Sequence, residues 1–325
     1  MNWLLPFAWC LLSAVRVLGD GGCGLGARHL GIRDYGTASG EQAIHNLEFT
    51  IYYSLAPSPV LKMRRHFRLF LLYFAQYAKV RLAYKADFFI AFVSSMAATV
   101  LGFGFVWVLF SKIPKLQDWS FYEILFLYGF SLIPLGMFNV ISWNLYEFGD
   151  LYIIQGRFDR ILLRPAHTLF QVIFEKFRLE SLQEVVTGTL VVALCARHLH
   201  LAWKVADSLW FLLMVICGAV IYLAVFLILT SVSFWFEDRV GIVPPVFNML
   251  TFGRYPLTIY NVFLQFLLSW IIPFAFASFY PTTHFLGRRV FASYFYLVPA
   301  VAVGFFLLSI LVWNKGVENY SSTGS

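Results

Sequence analysis

The sequence predicts an all-α membrane protein built from six transmembrane helices. Three observations carry that reading. Only 13% of its 325 residues are charged while 60% are hydrophobic, and a soluble domain needs roughly 25% charged residues to cover its surface. Repeated apolar runs are long enough to cross a hydrocarbon core of about 30 Å. The lysines and arginines gather in the segments between those runs, where they meet anionic lipid and set orientation.

The net charge of +7 would raise the question of nucleic acid in a soluble chain. Here the basic residues flank apolar spans, so membrane lipid is the expected partner and nucleic acid is not. Of the four cysteines, Cys10 and Cys23 precede the apolar runs and Cys195 and Cys217 lie within them. No two form a CxxC pair, and the latter two read as small packing residues.

Residues 1–62 stand apart from 63–325. The stretch 1–18 is apolar but short, has no basic start and runs into the glycine-rich 19–26, so the charged beginning of a signal peptide is missing. No sustained periodicity follows up to residue 62, which reads as a disordered tail or a translated upstream extension. Met63 then opens a different segment. Between 64 and 85, Phe67, Phe70, Leu71, Phe74, Ala78 and Leu82 recur at helical spacing. Arg64, Arg65, Arg68, Lys79, Arg81 and Lys85 supply charge. That pattern predicts an amphipathic helix lying in the membrane interface.

Six spans are expected near 88–110, 121–143, 179–196, 209–234, 257–277 and 294–313. The third carries Glu180, Gln183 and Glu184 in its first turns, and the fifth is interrupted by Pro273. A helix over 257–272 would be only roughly 24 Å long, so the stretch after it, FAFASFYPTTHFLG, is expected to dip back into the outer leaflet before span six. Irregular backbone at that depth has to be buried in protein. Fifteen lysines and arginines fall on one side of this arrangement and six on the other, which places both ends of the six-span core in the cytoplasm.

The motifs that would let the chain do chemistry by itself are missing. There is no GxxxxGK[ST] phosphate cradle, no GxSxG and no HExxH, so neither ATP hydrolysis nor common hydrolytic chemistry is expected, and no cofactor. His198 and His200 are two apart and point away from each other on a helix, a poor metal pair. Asn139, Asn144, Asn261 and Gln265 are the polar candidates within the spans. Such amides either bond helices together or line a substrate path. The connection between spans two and three, EFGDLYIIQGRFDRILLRPAHTLFQVIFEKFRLE, holds Gly156 and then a short helical stretch with Phe158, Ile161 and Leu162 on one face. That shape suits docking to another protein, or lying on the membrane surface with its charges solvated.

Those residues also carry a resemblance. GRFDRILLRP after span two resembles the type-2 ABC export permeases, as do RYPLTIY, PFAFASFYPTTHFLG and the closing WNKGVENYSSTG. The resemblance covers the chain from about Met63 onward. It implies the permease subunit of an ATP-driven exporter in a bacterial inner membrane, with drug-like or lipid-like compounds as substrates. Partners would be separate soluble ATPase subunits, which bind the ATP, and a second permease copy or sister chain. Matched onto this sequence, the cytosolic coupling helix is 155–165, with Arg157, Phe158, Asp159, Arg160, Ile161, Leu162 and Arg164 as the ATPase-facing residues. The path between permeases would use Asn139, Asn261 and Gln265, and 274–286 would be the re-entrant outer hairpin. The outer segment is more basic than the family pattern at His284, Arg288 and Arg289. The alternative from another class is a stand-alone membrane enzyme or channel acting on lipid-like compounds. It would require acid, base or metal groups, or a polar stripe, that the spans do not supply.

Overall fold

The computed structural model describes residues 70–71, 73–75, 77, 79, 85–164, 166–236 and 243–321. The expectations for residues 1–62, and most of those for the amphipathic segment 64–85, lie outside them. Among the described residues the chain is helical throughout, with turns and no strand.

Five helical stretches have the length and apolarity to cross a membrane: Lys85–Lys112, Phe121–Ile154, Leu179–His198, Val205–Phe236 and Ala292–Asn319. They fall where the apolar runs predict spans one to four and six. Their regular parts are α1 (Lys85–Lys112), α2 (Phe121–Ser142), then, beyond two short helices described below, α5 (Leu182–His198), α6 (Val205–Ser231) and α10 (Ala292–Asn319). The start of α2 is fixed chemically. Glu123 in its first turn accepts hydrogen bonds from the Ser120 amide at 2.8 Å and the Ser120 hydroxyl at 2.9 Å, a carboxylate capping the free amides at the helix N-terminus.

Helix α2 is the buried axis of the bundle, packed against α5 on one side and α6 on another. Its contact with α5 is close because both helices put glycine there. A Cβ on Gly188 would fall 2.5 Å from the Gly129 carbonyl oxygen, so the two backbones meet where no side chain fits. By contrast, α1 leaves Phe89, Ile90, Leu101, Phe105 and Trp107 exposed, and α10 leaves Val303, Leu307 and Leu311 exposed. Apolar surface of that extent needs lipid or protein over it.

Between α6 and α10, where the sequence predicts a span over 257–277 interrupted at Pro273, the chain is broken into short helices and turns. Helix α7 (Val243–Met249), the tighter turns Leu250–Arg254 and Leu257–Ile259, and the extended Tyr255 between them run the length of α2. Phe247 packs on Trp143 and Tyr146 at the C-terminal end of α2. Thr258 accepts a hydrogen bond from the Trp119 indole, 3.1 Å away, beyond its N-terminal end. Residues 243–254 are therefore part of the packed bundle, Arg254 among them. After Asn261, α8 (Val262–Phe266) leads a first arm, Val262–Ile271, and α9 (Phe279–Phe285) ends a second, Phe274–Phe285. The arms meet at 71°. The break falls at Pro273, which has no amide hydrogen to continue a helix.

The described part of the basic segment before α10 is anchored within the fold. Arg288 bonds Glu123 through two nitrogens, at 2.9 and 3.2 Å, and the Asp118 carbonyl at 2.7 Å. It also lies 3.9 Å over the Trp119 ring. His284 stacks on Phe295 with centroids 3.7 Å apart.

Candidate functional site

The stretch after α2 continues as a wider helical turn over Gly149–Ile154 and then stops at Gly156, whose φ of +65° is a left-handed conformation that favours glycine. The chain turns there and forms α3 (Arg157–Leu162), followed by α4 (Thr168–Phe174). The short helix expected from the sequence is present. Its orientation is not the one expected.

Phe158 and Ile161 point into the protein and are buried, so neither is available to seat in a partner's groove. Phe158 packs edge-on against Phe148, Phe234 and Tyr320, with ring centroids 5.8, 5.1 and 5.0 Å away, and against Trp313 at 6.1 Å. A six-residue helix has too few hydrogen bonds to persist alone, and this aromatic cluster supplies the missing stability. The residues on its other face are exposed: Arg157 and Arg160, with Leu162 and the adjacent Leu163, which is 82% exposed. Ile154 and Gln155 extend the same surface. Arg164 turns back and donates to the Tyr73 hydroxyl at 3.3 Å.

Three residues that the sequence reading left without a role hold α3 in place. Gln171 of α4 is buried and donates to the carbonyls of Ile161, at 3.3 Å, and Ala166, at 2.9 Å, which ties the end of α3 to α4. Trp313 near the end of α10 donates to the Thr168 hydroxyl at 3.2 Å. The Tyr320 hydroxyl donates to Asp159 Oδ1 at 2.9 Å. Burial, reinforced by that bond to a carboxylate, pushes the Tyr320 phenol up to about 12. Gly316 completes the contact, since a Cβ there would meet the Phe234 ring at 2.4 Å. The closing WNKGVENY is thus the scaffold of GRFDRIL. Two motifs over 150 residues apart in sequence form one unit, a pairing that no local pattern in either reveals.

The three polar residues expected on a substrate path are not brought together. Asn139 lies near the C-terminal end of α2, where its Nδ2 donates to Glu184 Oε2 at 3.0 Å. Asn261 lies beyond the other end, next to Thr258, and caps α8 by accepting from the Leu264 amide at 2.9 Å. Gln265 donates to the Tyr260 carbonyl at 2.8 Å. The last two therefore serve local helix geometry. Asn144 is a helix-to-helix tie, donating to the Val172 carbonyl at 2.8 Å. Among the described residues no three histidines, cysteines or acids are grouped to hold a metal, and His198 stacks on Tyr122 with centroids 4.2 Å apart.

A bundle of long apolar helices, with exposed apolar flanks and a short basic helix held rigidly at one end, defines a multi-pass helical membrane protein with a presented surface element. The chain belongs to the ABC-2 family transporter proteins, whose family model matches residues 93–324. That match takes in α2 to α10, both motifs and the α3 surface. No curated protein and no solved structure matched the chain. Members of this family are the membrane component of transporters, and this chain is a transporter permease of that kind.

Proposed function

We propose that this chain is the transmembrane half of an ATP-driven exporter, and that separate ATPase subunits dock on the exposed face of α3. The observation that carries the reading is the family match joined to the geometry of α3. A helix of six residues is fixed from behind by Phe158, Ile161, Gln171 and Tyr320, while Arg157, Arg160, Leu162 and Leu163 face outward. A rigid backing with an apolar–basic front suits an element that takes load from a partner. Leu162 and Leu163 are the anchors, in place of Phe158 and Ile161, since interface energy concentrates in apolar side chains that become buried on binding. Arg157 and Arg160 form the rim. Asp159 and Arg164 act from within as positioning residues.

In this reading the α3 end is cytoplasmic, in accord with the excess of lysine and arginine there. Residues 243–258 make the fifth crossing, and Val262–Ile271 with Phe274–Phe285 form a re-entrant hairpin that enters and leaves at the outer side. Both ends of that pair support this. Thr258 bonds Trp119 beside the start of α2, and Phe285 packs on Trp203 at 5.7 Å, beyond the outer end of α5. A second copy of the chain or a sister permease covers the exposed apolar flank of α1, and the membrane is a bacterial inner membrane. Residues 63–325 are the permease domain in this reading, and that domain needs no cofactor of its own.

The test is co-purification with the ATPase encoded alongside. Leu162→Asp with Leu163→Asp should leave the permease in the membrane and remove the ATPase from the complex. An intact complex with full substrate-stimulated ATP hydrolysis would overturn the assignment of α3.

A further inference from the structure

Besides α3, the part-buried Arg254 and Glu184 form a second set of ionisable side chains in the bundle, and neither the family match nor the docking reading uses it. Arg254 ends the turn Leu250–Arg254 within the stretch that runs alongside α2. Its guanidinium donates through Nη1 to the Tyr128 hydroxyl at 2.9 Å, and its carbon lies 5.2 Å from the centre of the Tyr128 ring. Tyr128 is itself fixed in place. Its ring is buried, its centroid is 4.7 Å from that of Phe103 on α1, and a Cβ on Gly102 would fall 1.9 Å from its hydroxyl oxygen. Gly102 is the residue that lets this phenol reach across.

What Arg254 lacks is a counterion in contact. A guanidinium carries five donors; among the described residues only Tyr128 accepts from this one, and its Nε is buried with no acceptor. The carboxylate in electrostatic reach is Glu184 on α5, and Glu184 is held by Asn139 rather than by Arg254. Asn139 is itself buried, with its Oδ1 unpartnered. Arg254 as a whole is part-buried, but its Nε is enclosed without an acceptor, and a buried unfilled donor is costly. Here the Tyr128 hydroxyl orients the fork and leaves its remaining donors open. Tyr255, next in sequence, and Phe105 of α1, with centroids 6.3 Å apart and Phe105 mostly exposed, add an aromatic wall for an apolar body.

We propose that Arg254, oriented by Tyr128, is the recognition group for an anionic amphiphile, a carboxylate or phosphate ester on an apolar tail. This rests on the export reading for its biological meaning, but the binding site itself does not require an ATPase.

The test uses the full-length permease in nanodiscs of phosphatidylcholine, without the ATPase, titrated with dodecyl phosphate and with dodecyltrimethylammonium. Saturable binding of dodecyl phosphate is expected. It should weaken by about ten-fold or more in Arg254→Gln and by a smaller factor in Arg254→Lys, which keeps the charge but loses the fork. If Arg254→Gln fails to fold, Tyr128→Phe keeps the packing and removes the orienting hydroxyl, and should weaken dodecyl phosphate by a few-fold. The cationic probe should be indifferent to both changes. Unchanged dodecyl phosphate binding in folded variants would overturn the site, as would a preference for the cation that is lost in Glu184→Gln. Doping the nanodisc with phosphatidic acid separates the two sources of the anion. Displacement of dodecyl phosphate marks a bilayer lipid as the natural occupant, and its persistence marks a free amphiphile; both uphold the anion site. A permease that binds dodecyl phosphate through Arg254 but never recruits an ATPase would defeat the export reading and leave this one standing.

Discussion

The Tyr320 hydroxyl reaches Asp159 Oδ1 at 2.9 Å, so the residue that closes α10 holds α3, the short helix that follows α2. The same tyrosine ring lies 5.0 Å from Phe158. A hydrogen bond and an edge-on ring contact thus join α3 to the end of α10.

Removing that bond tests the link. Tyr320→Phe keeps the ring and loses the donor, and should loosen α3 by about 1.5 kcal/mol, the lower end of the range for a bond to a charged acceptor. Hydrogen exchange of the amides at 157–163 should quicken, while that of α2 stays unchanged. The pH dependence has a fixed sign. The phenol is raised in the folded protein, so its contribution is whole below its ordinary value of about 10 and is lost as pH rises through about 12. Wild type and Tyr320→Phe should therefore converge at the alkaline end of a melting series. A gap that widens above pH 10 would contradict the arrangement.

Phe158 and Leu163 should behave oppositely. Phe158→Ala opens a cavity among Phe148, Phe234, Trp313 and Tyr320, a loss of about 3–5 kcal/mol by analogy with other buried phenylalanines, and should lower the melting temperature of the purified chain. Leu163→Ala removes an exposed side chain and should leave the melting temperature within experimental scatter. ATPase recruitment should fall in both, in the second without any loss of stability. A stable Phe158→Ala protein would place that ring outside the core.

The contact between α2 and α5 allows a size test. Gly188→Val would drive a side chain into the Gly129 carbonyl, 2.5 Å from the new Cβ, with Ile133 at 2.9 Å, and overpacking on that scale costs about 1–3 kcal/mol or more. Gly304→Ala on α10 meets nothing within 4 Å and should be neutral or slightly stabilising in a helix. Thermal unfolding of the two in the same detergent gives the comparison, and equal stability would remove the argument for close backbone approach.

Topology can be read with single cysteines and an impermeant thiol reagent, after replacing the four native cysteines. Positions 163 and 159 should be protected in intact cells, while 115, 200 and 258 should be labelled. Position 258 is the informative one. Labelling there makes residues 243–258 a crossing and the pair after it a hairpin on the outer side. Protection at 258 with labelling at 285 would return the fifth span to the broken pair.

What the sequence determined by itself was whatever repeats locally. Apolar runs of bilayer length located four of the spans and the last one to within a few residues, because each such helix satisfies its own backbone and needs only a hydrophobic exterior. The α3 segment was legible for a similar reason, since Gly156 and Pro165 bracket a stretch too short to be anything but a single turn or two. Its orientation was not legible. Phe158, Ile161 and Leu162 look alike in a helical pattern, and only the arrival of Phe234, Trp313 and Tyr320 from distant parts of the chain decided that the first two face inward and the third outward. The place of Arg254 was not legible for the same reason. Its segment is broken into short turns with no sustained period, and the fact that it lies beside Tyr128 is set by the packing of the turn after α7 against α2. Periodicity reports the surroundings of one helix averaged along its length. Which particular partner fills each side is set by close packing between helices, and that information is spread over the whole chain.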